Sequence, residues 1–129
     1  MKFLCLAYEE ERALNELSTA EWQALRQETL DYVDGLRKGG RLIHAQALQS
    51  ATTASTVRVR GGKLLVSDGP FAETKEQIGG FFLIEAADFD EAVRIAASWP
   101  SARNGSIEVR PIEDQLQMDR RYAERRQAS

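Results

Sequence analysis

The sequence is poor in the residues that form covalent links and metal sites. Its 129 residues include one cysteine, Cys5, and one histidine, His44. A lone cysteine excludes a disulfide within the chain and is typical of a reducing compartment, so we expect a cytoplasmic location. No metal-ligand spacing occurs in the sequence. We therefore expect neither a metal nor a cofactor.

Long apolar runs and an excess of positive charge are also missing. No stretch approaches the roughly 20 apolar residues of a membrane-spanning helix. The apolar start of the chain ends at Tyr8, and the acidic run Glu9-Glu10-Glu11 follows, which does not fit a secretory signal. The formal net charge of -3 gives no broad electrostatic reason to bind nucleic acid or an anionic membrane.

What is present fits one globular domain, with 43% hydrophobic and 29% charged residues. Alternation and helical spacing predict two strand–helix–strand units and a hairpin between them. A capping box at Ser18–Glu21 starts the first helix, and Pro100 stops the second. The predicted elements are strand 2–8, helix 19–38, strand 41–48, hairpin strands 56–60 and 63–67, strand 81–85, a helix from about 88 to 99, and strand 105–112.

This order predicts an α+β fold of the ferredoxin-like, split βαβ type with an inserted β-hairpin. We assign residues 1–112 to this domain and 113–129 to a charged tail, which we interpret as a frayed or partner-docked helix anchored by Leu116, Met118 and Tyr122. Strands 2–8 and 81–85 are apolar on both faces, whereas two helices cover one face of such a sheet. Because a large exposed apolar face is rare in a monomer, we expect a homodimer that buries it.

The central motif resembles the DGPF branch of the YCII-related proteins. It runs Asp68-Gly69-Pro70-Phe71-Ala72-Glu73-Thr74-Lys75-Glu76, followed by Gly79-Gly80-Phe81, and residues 56–60 and 105–111 are similar to the same branch. The resemblance spans residues 1 to about 112. It implies a dimeric α+β barrel of ferredoxin-like subunits, but no established activity.

The resemblance also carries two functional expectations. The wider YCII group has been proposed to use a His–Asp pair in a pocket, but helix 19–38 contains no histidine, so no catalytic histidine is transferred to this chain. Bacterial DGPF proteins are often encoded beside extracytoplasmic-function sigma factors, which makes such a factor a candidate partner.

Asp68 is the candidate catalytic residue, as an acid or base. Gly69 and Pro70 restrict the turn, and Phe71 supplies an apolar wall, so we expect the carboxylate to face a cleft. The alternative is that Asp68 only caps backbone amides of the turn. The candidate ligand-binding residues are Asp68, Phe71, Lys75, His44 and Arg110. For the charged ones and for His44, the alternative is a solvated or structural role.

Two functions stay open from the sequence. One is a homodimer that binds a small polar molecule near Asp68, with or without acid–base catalysis. The other is a non-enzymatic regulator, such as a partner of an extracytoplasmic-function sigma factor. The residues alone do not decide whether the protein is an enzyme. We also predict that Trp22 and Trp99 both pack at or near the helix–sheet core, where their side chains are buried.

Overall fold

A computed structural model describes residues 1–128 of the chain. Two short 3-10 helices, Ala51–Thr53 and Pro100–Arg103, lie between the main elements. In chain order the strands and α-helices are β1 (Lys2–Glu9), α1 (Glu11–Asn15), α2 (Thr19–Lys38), β2 (Leu42–Ala47), β3 (Ser55–Arg60), β4 (Lys63–Asp68), β5 (Gln77–Glu85), α3 (Phe89–Ser98), β6 (Gly105–Pro111) and α4 (Gln115–Ala128).

The main sheet has four antiparallel strands in the order β2-β5-β1-β6. This is the strand order of a ferredoxin-like fold. Strands β3 and β4 form a separate two-stranded hairpin between β2 and β5. The predicted fold class, α+β and ferredoxin-like with an inserted hairpin, is confirmed.

Local sequence signals set the helix ends. The Ser18 hydroxyl accepts a hydrogen bond from the Glu21 amide at 3.1 Å, and the Ser18 amide donates to the Glu21 carboxylate at 3.0 Å. This reciprocal capping box starts α2. The Asp88 carboxylate accepts from the Glu91 amide at 2.8 Å and starts α3. Pro100 then ends that helix and begins the second 3-10 helix.

The hydrophobic core lies between the sheet and helices α2 and α3. Phe3, Cys5 and Ile84 on the sheet are fully buried. The ring of Phe82 stacks on Trp99 with centroids 3.8 Å apart. Burial raises the pKa of the Cys5 thiol to about 12, so this cysteine is a packing residue and not a nucleophile at neutral pH.

Two expectations differ from the structure. Trp99 is buried as predicted, but the prediction for Trp22 is wrong, since that side chain is 49% exposed. The first strand residue of β5 is Gln77, not residue 81. The tail forms α4, and its three predicted anchors, Leu116, Met118 and Tyr122, are exposed in the single chain, so docking against a partner stays a prediction. The last tail residue, Ser129, lies outside the described residues.

The other face of the main sheet carries Leu4, Leu6, Tyr8, Phe81 and Leu83, which are only partly buried in the single chain. The homodimer expected to cover this face stays a prediction. Within residues 1–128, no helix is both long and apolar enough to cross a membrane.

Candidate acid–base pocket

The end of β1 places a carboxylate on the helix-covered face of the sheet. Along β1, Phe3, Cys5 and Ala7 are buried beneath the helices, and Glu9 continues their alternation. Glu9 is partly buried, although it belongs to an acidic run. A carboxylate in such a position is partly separated from water.

A bulge in the neighbouring strand makes room for Glu9. Ala7 pairs with Gly80 and Tyr8 with Ile78, so Gly79 is an extra residue in β5. A Cβ atom at Gly79 would overlap the Glu9 carboxylate. The Glu9 side chain therefore occupies the space that glycine leaves free. Bulges are frequent beside functional sites because they redirect side chains.

A cavity of about 350 Å³ lies over Glu9, and we name it the Glu9 pocket. Its wall comes from the first half of α2, from α1, from the end of β2 and from the second 3-10 helix. The lining residues are Glu9, Leu14, Trp22, Leu25, Arg26, Thr29, Leu30, Ala47, Ser101 and Asn104. Most of this wall is apolar, with polar groups at a few positions, which is the usual composition of a small-molecule site.

The surroundings of Glu9 raise the pKa of its carboxyl above the ordinary glutamate range. The main cause is partial burial, and repulsion from Glu11 adds to it. Within residues 1–128 the Glu9 carboxylate has no hydrogen bond or ion pair. A carboxyl that is neither neutralised nor hydrogen-bonded can take a proton from a ligand or return one.

Arg26 brings a positive charge to the same pocket. Its guanidinium lies 5.8 Å from the centre of the Trp22 ring. The described residues contain no ion pair of Arg26 with a carboxylate, including that of Glu9. The pocket therefore contains a carboxylate and a guanidinium that do not neutralise each other.

An ion pair holds the second 3-10 helix against α2. The Arg103 guanidinium donates to both carboxylate oxygens of Glu28 at 2.8 and 2.7 Å. This contact lowers the pKa of the Glu28 carboxyl. It also connects the segment that carries Ser101 and Asn104 to the helix that carries Trp22 and Arg26. The two walls of the Glu9 pocket are thus joined.

A second cavity, of about 620 Å³, lies beside the hairpin, and we name it the hairpin cavity. Gly69 adopts a positive φ of 98°, which favours glycine, and turns the chain after β4. On the far wall, Glu11 accepts hydrogen bonds from the Ser50 hydroxyl and the Ala51 amide at 2.7 and 2.6 Å. The lining residues are Tyr8, Leu48, Gln49, Ser50, Ala51, Thr53, Ala54, Pro70, Phe71, Ala72, Thr74, Gln77 and Ile78.

Asp68 is the last residue of β4 and pairs with Ser55 across the hairpin. Its side chain is exposed, and it is not among the residues that line the hairpin cavity, although Pro70 and Phe71 are. Within the described chain, its carboxylate has neither a hydrogen bond nor an ion pair. The single chain therefore does not show the cleft-facing carboxylate that we expected, nor the alternative cap on backbone amides. Its catalytic role stays a prediction.

The other predicted ligand-binding residues do not meet at one site. Phe71 is 80% exposed and lines the hairpin cavity, with the Arg58 guanidinium 5.5 Å from its ring centre. Lys75 lies 3.8 Å from the Glu10 carboxylate. His44 is on the β2 edge of the sheet and Arg110 on the β6 edge, where it pairs with Glu108 at 2.6 Å.

The sequence reading missed Glu9 and Arg26. Glu9 had an available signal, since Phe3, Cys5, Ala7 and Glu9 share one face of an alternating strand. It was overlooked because the acidic run at 9–11 suggests a solvated turn. Arg26 had no clear signal, because arginine on the exposed side of a helix is common. Across residues 1–128, no cluster of three or more potential metal ligands is found.

Comparison with known proteins gives a family match and a similar fold. Residues 1–115 match the family model described as YCII-related domain. A relative from Rhizobium meliloti (strain 1021), the uncharacterized protein R00369, is 40% identical over 106 residues, which cover 81% of this chain and 76% of the relative. A solved structure with TM-score 0.55 and 15% identity covers 90% of this chain and 97% of its own. It is 5-chloro-2-hydroxyhydroquinone dehydrochlorinase (TftG) from Burkholderia phenoliruptrix AC1100 in complex with 2,5-dihydroxybenzoquinone.

Proposed function

Since the chain belongs to the YCII-related domain family, we propose that it binds a small one-ring organic molecule in the Glu9 pocket and that Glu9 transfers a proton to or from that molecule. The observation that carries the proposal is the partly buried Glu9 carboxylate, which faces an apolar pocket without a partner. The pocket volume of about 350 Å³ is near the lower end of ligand sites, which favours a single ring over a larger molecule.

Partial burial suits Glu9 to acid–base work. A general acid or base is most effective when its pKa lies near the working pH, and a glutamate reaches this range when its charged form is poorly solvated. Burial acts on Glu9 in this direction. Hydroxyl or keto groups on the ring would meet the polar side chains of Ser101 and Asn104 on the opposite wall.

The structural neighbour supports a ring compound as the first ligand to try. That protein is a 5-chloro-2-hydroxyhydroquinone dehydrochlorinase with bound 2,5-dihydroxybenzoquinone. At 15% identity, this likeness shows the fold alone, so the ligand class for the present chain is our proposal. The competing hypothesis, from the sequence, is that a polar ligand binds near Asp68, and the hairpin cavity would then be its site.

Hydrogen exchange on 2,5-dihydroxybenzoquinone provides a proton-transfer assay. Protonated Glu9 gives its proton to the ring carbon beside an enol hydroxyl, and the hydroxyl releases its proton to water, which forms the keto tautomer. The Glu9 carboxylate then removes a hydron from the same carbon, and the keto oxygen takes a hydron from water, which restores the enol. In heavy water, this cycle replaces the ring hydrogen with deuterium, which proton NMR records.

The discriminating variants are Glu9→Gln and Asp68→Asn, since each removes a charge and keeps the shape. We expect the wild type and Asp68→Asn to accelerate exchange over the rate without protein, by the roughly 10²–10⁴-fold typical of general acid–base catalysis. Glu9→Gln should lose this acceleration. Loss in Asp68→Asn alone would instead place the acid–base group at the hairpin. If the wild type binds the compound saturably but does not accelerate hydrogen exchange, the protein binds this ligand without acid–base catalysis.

The regulatory function is the second candidate, and the exposure of α4 favours it. Leu116 is 59% and Tyr122 is 47% exposed in the single chain, which leaves apolar surface for another protein. If the chain is a sigma-factor partner, removal of residues 115–129 should abolish co-purification with the factor and leave ligand binding unchanged. Undiminished co-purification would exclude α4 as the contact.

A further inference from the structure

We infer that the Glu9 pocket selects a planar ring that carries a carboxylate, and that Arg26 is the residue that selects the anion. The inference rests on the proposed small-molecule function of this pocket and adds the charge of the ligand. It comes from the arrangement of Glu9, Trp22 and Arg26.

The first step is the availability of the Arg26 guanidinium. Arg26 follows Trp22 by one helical turn of α2, and both side chains line the pocket. The guanidinium lies 5.8 Å from the indole centre, which keeps it beside the pocket. None of the ion pairs found within residues 1–128 includes Arg26. An incoming carboxylate therefore does not have to displace an existing partner.

The second step is the separation of the two charges. Glu9 and Arg26 line one pocket of about 350 Å³, yet no ion pair joins them. The wall around them is made of Leu14, Trp22, Leu25 and Leu30. A flat ring against this wall can direct a carboxylate to Arg26 and a hydroxyl to Glu9. The planar guanidinium matches a carboxylate with two parallel hydrogen bonds, which a neutral group cannot reproduce.

The third step concerns the charge of the whole chain. The formal net charge of -3 disfavours the approach of an anion in general. Glu9, which lines the pocket, and Glu11, whose charge acts on Glu9, add to this locally. An anionic ligand thus needs a positive group at the pocket itself, and Arg26 is the cationic side chain of the lining.

Two matched probes test the inference by isothermal titration calorimetry: 4-hydroxybenzoate and 4-hydroxybenzyl alcohol. They share the ring and the hydroxyl group and differ in the carboxylate. A charge-assisted contact is worth at least about tenfold in affinity. We expect wild-type protein to prefer the benzoate by about this factor or more, and added salt to reduce the preference.

Three variants assign the preference to Arg26. Arg26→Gln should reduce it to within about twofold, because the charge is gone. Arg26→Lys should retain part of it, since the charge stays and the planar fork is lost. Arg37→Gln, at the far end of the same helix and outside the lining, is the matched control and should keep the full preference.

The outcomes separate this inference from the proposed function. Equal affinity of wild type for the two probes, or binding of neither, overturns the anion selection. A preference that survives Arg26→Gln shows that another group selects the anion. In each case, the exchange assay with 2,5-dihydroxybenzoquinone and the Glu9 variant still reports on the pocket independently.

Discussion

The chemistry proposed for Glu9 depends on one neighbouring residue that has no side chain. Gly79 bulges out of β5 and leaves the space in which the Glu9 carboxylate lies. Gly105 permits a different close approach, since a Cβ atom there would meet the backbone carbonyl of Tyr8. Both glycines therefore lie beside the end of β1. A Cβ atom at Gly79 would meet a flexible side chain, whereas one at Gly105 would meet rigid backbone.

This difference predicts opposite results for two alanine substitutions. In Gly79→Ala, the end of the Glu9 side chain can move away, so the fold should survive, whereas the exchange activity proposed for Glu9 should fall. In Gly105→Ala, the obstacle is backbone in the β1–β6 pairing, so the protein should lose stability. Thermal unfolding and the exchange assay together measure both. Full exchange activity in Gly79→Ala would contradict the role given to this bulge.

The two tryptophans form a second matched pair. Trp99 stacks on Phe82 and meets Tyr32 edge to face at 5.7 Å, so Trp99→Ala should cost about 3–5 kcal/mol of unfolding free energy. Trp22→Ala should cost much less, because half of that side chain is already exposed, but it should weaken ligand binding. Denaturant unfolding of both variants measures the difference. Similar losses would mean that Trp22 supports the core.

At this scale, the sequence indicated burial better than function. Trp99 was predicted correctly because it follows directly on the apolar face of α3, and that face packs against the sheet. Trp22 begins an equally good stripe, yet it lines the Glu9 pocket together with Glu9 of β1 and Ala47 of β2, and half of its side chain is exposed. Sequence periodicity predicts which face of a helix is turned toward the sheet. It does not predict whether that face packs closely on the sheet or leaves a cavity. For the same reason, the position of Arg26 in the pocket could not be predicted.

At the scale of elements, the short helix α1 supports a wall of the hairpin cavity. Glu11 begins α1 and binds the Ser50 hydroxyl and the Ala51 amide across the chain. These hydrogen bonds lower the pKa of the Glu11 carboxyl, the Ala51 amide being the largest cause. Helix α1 could not be predicted from the sequence, since five residues are too few to show a helical period.

This tether predicts a local change that hydrogen exchange can measure. Glu11→Ala should raise the exchange rate of the Ala51 amide, whereas Glu16→Ala, in the same acidic region, should not. Because the Glu11 pKa is lowered on folding, its stabilising effect is complete above the ordinary glutamate range and is lost as the pH falls through the folded value. Wild type and Glu11→Ala should therefore converge in acid. Equal protection of Ala51 in both proteins at neutral pH would disprove the tether.

The central motif shows why an element can be recognised from sequence while the direction of its side chains cannot. Gly69 and Pro70 produce the sharp turn that the sequence predicted, and Phe71 reaches the hairpin cavity. The direction of Asp68 depends on where the hairpin lies relative to the main sheet. The hydrogen bond from the Gly69 amide to the Ala54 carbonyl at 2.7 Å only extends the β3–β4 pairing, so that arrangement depends on packing outside the hairpin, which no local pattern specifies.

At the scale of the whole molecule, two apolar surfaces lack cover in the single chain. One is the open face of the main sheet. The other is one face of the hairpin, where Val57 pairs with Val66 and Val59 with Leu64, each more than half exposed. A two-stranded hairpin alone is marginally stable in water, so this surface needs a partner.

We therefore expect a homodimer whose interface includes the open sheet face. Leu6→Lys adds a charge on that face, opposite Phe81, and should yield folded monomer. Val93→Lys, on the exposed side of α3, is the control and should leave the dimer intact. Light scattering at micromolar concentration measures the mass, and circular dichroism checks the fold. A stable wild-type monomer would contradict this expectation.

The central claim is the location of the ligand, and a crystal structure with 2,5-dihydroxybenzoquinone tests it most directly. Soaking should follow a solution titration that shows saturable binding, so that occupancy is assured. Our account predicts ligand density in the Glu9 pocket, with an oxygen of the ring within hydrogen-bond distance of the Glu9 carboxylate and the ring against Trp22. Density only in the hairpin cavity beside Phe71, with the Glu9 pocket filled by water, would contradict the account.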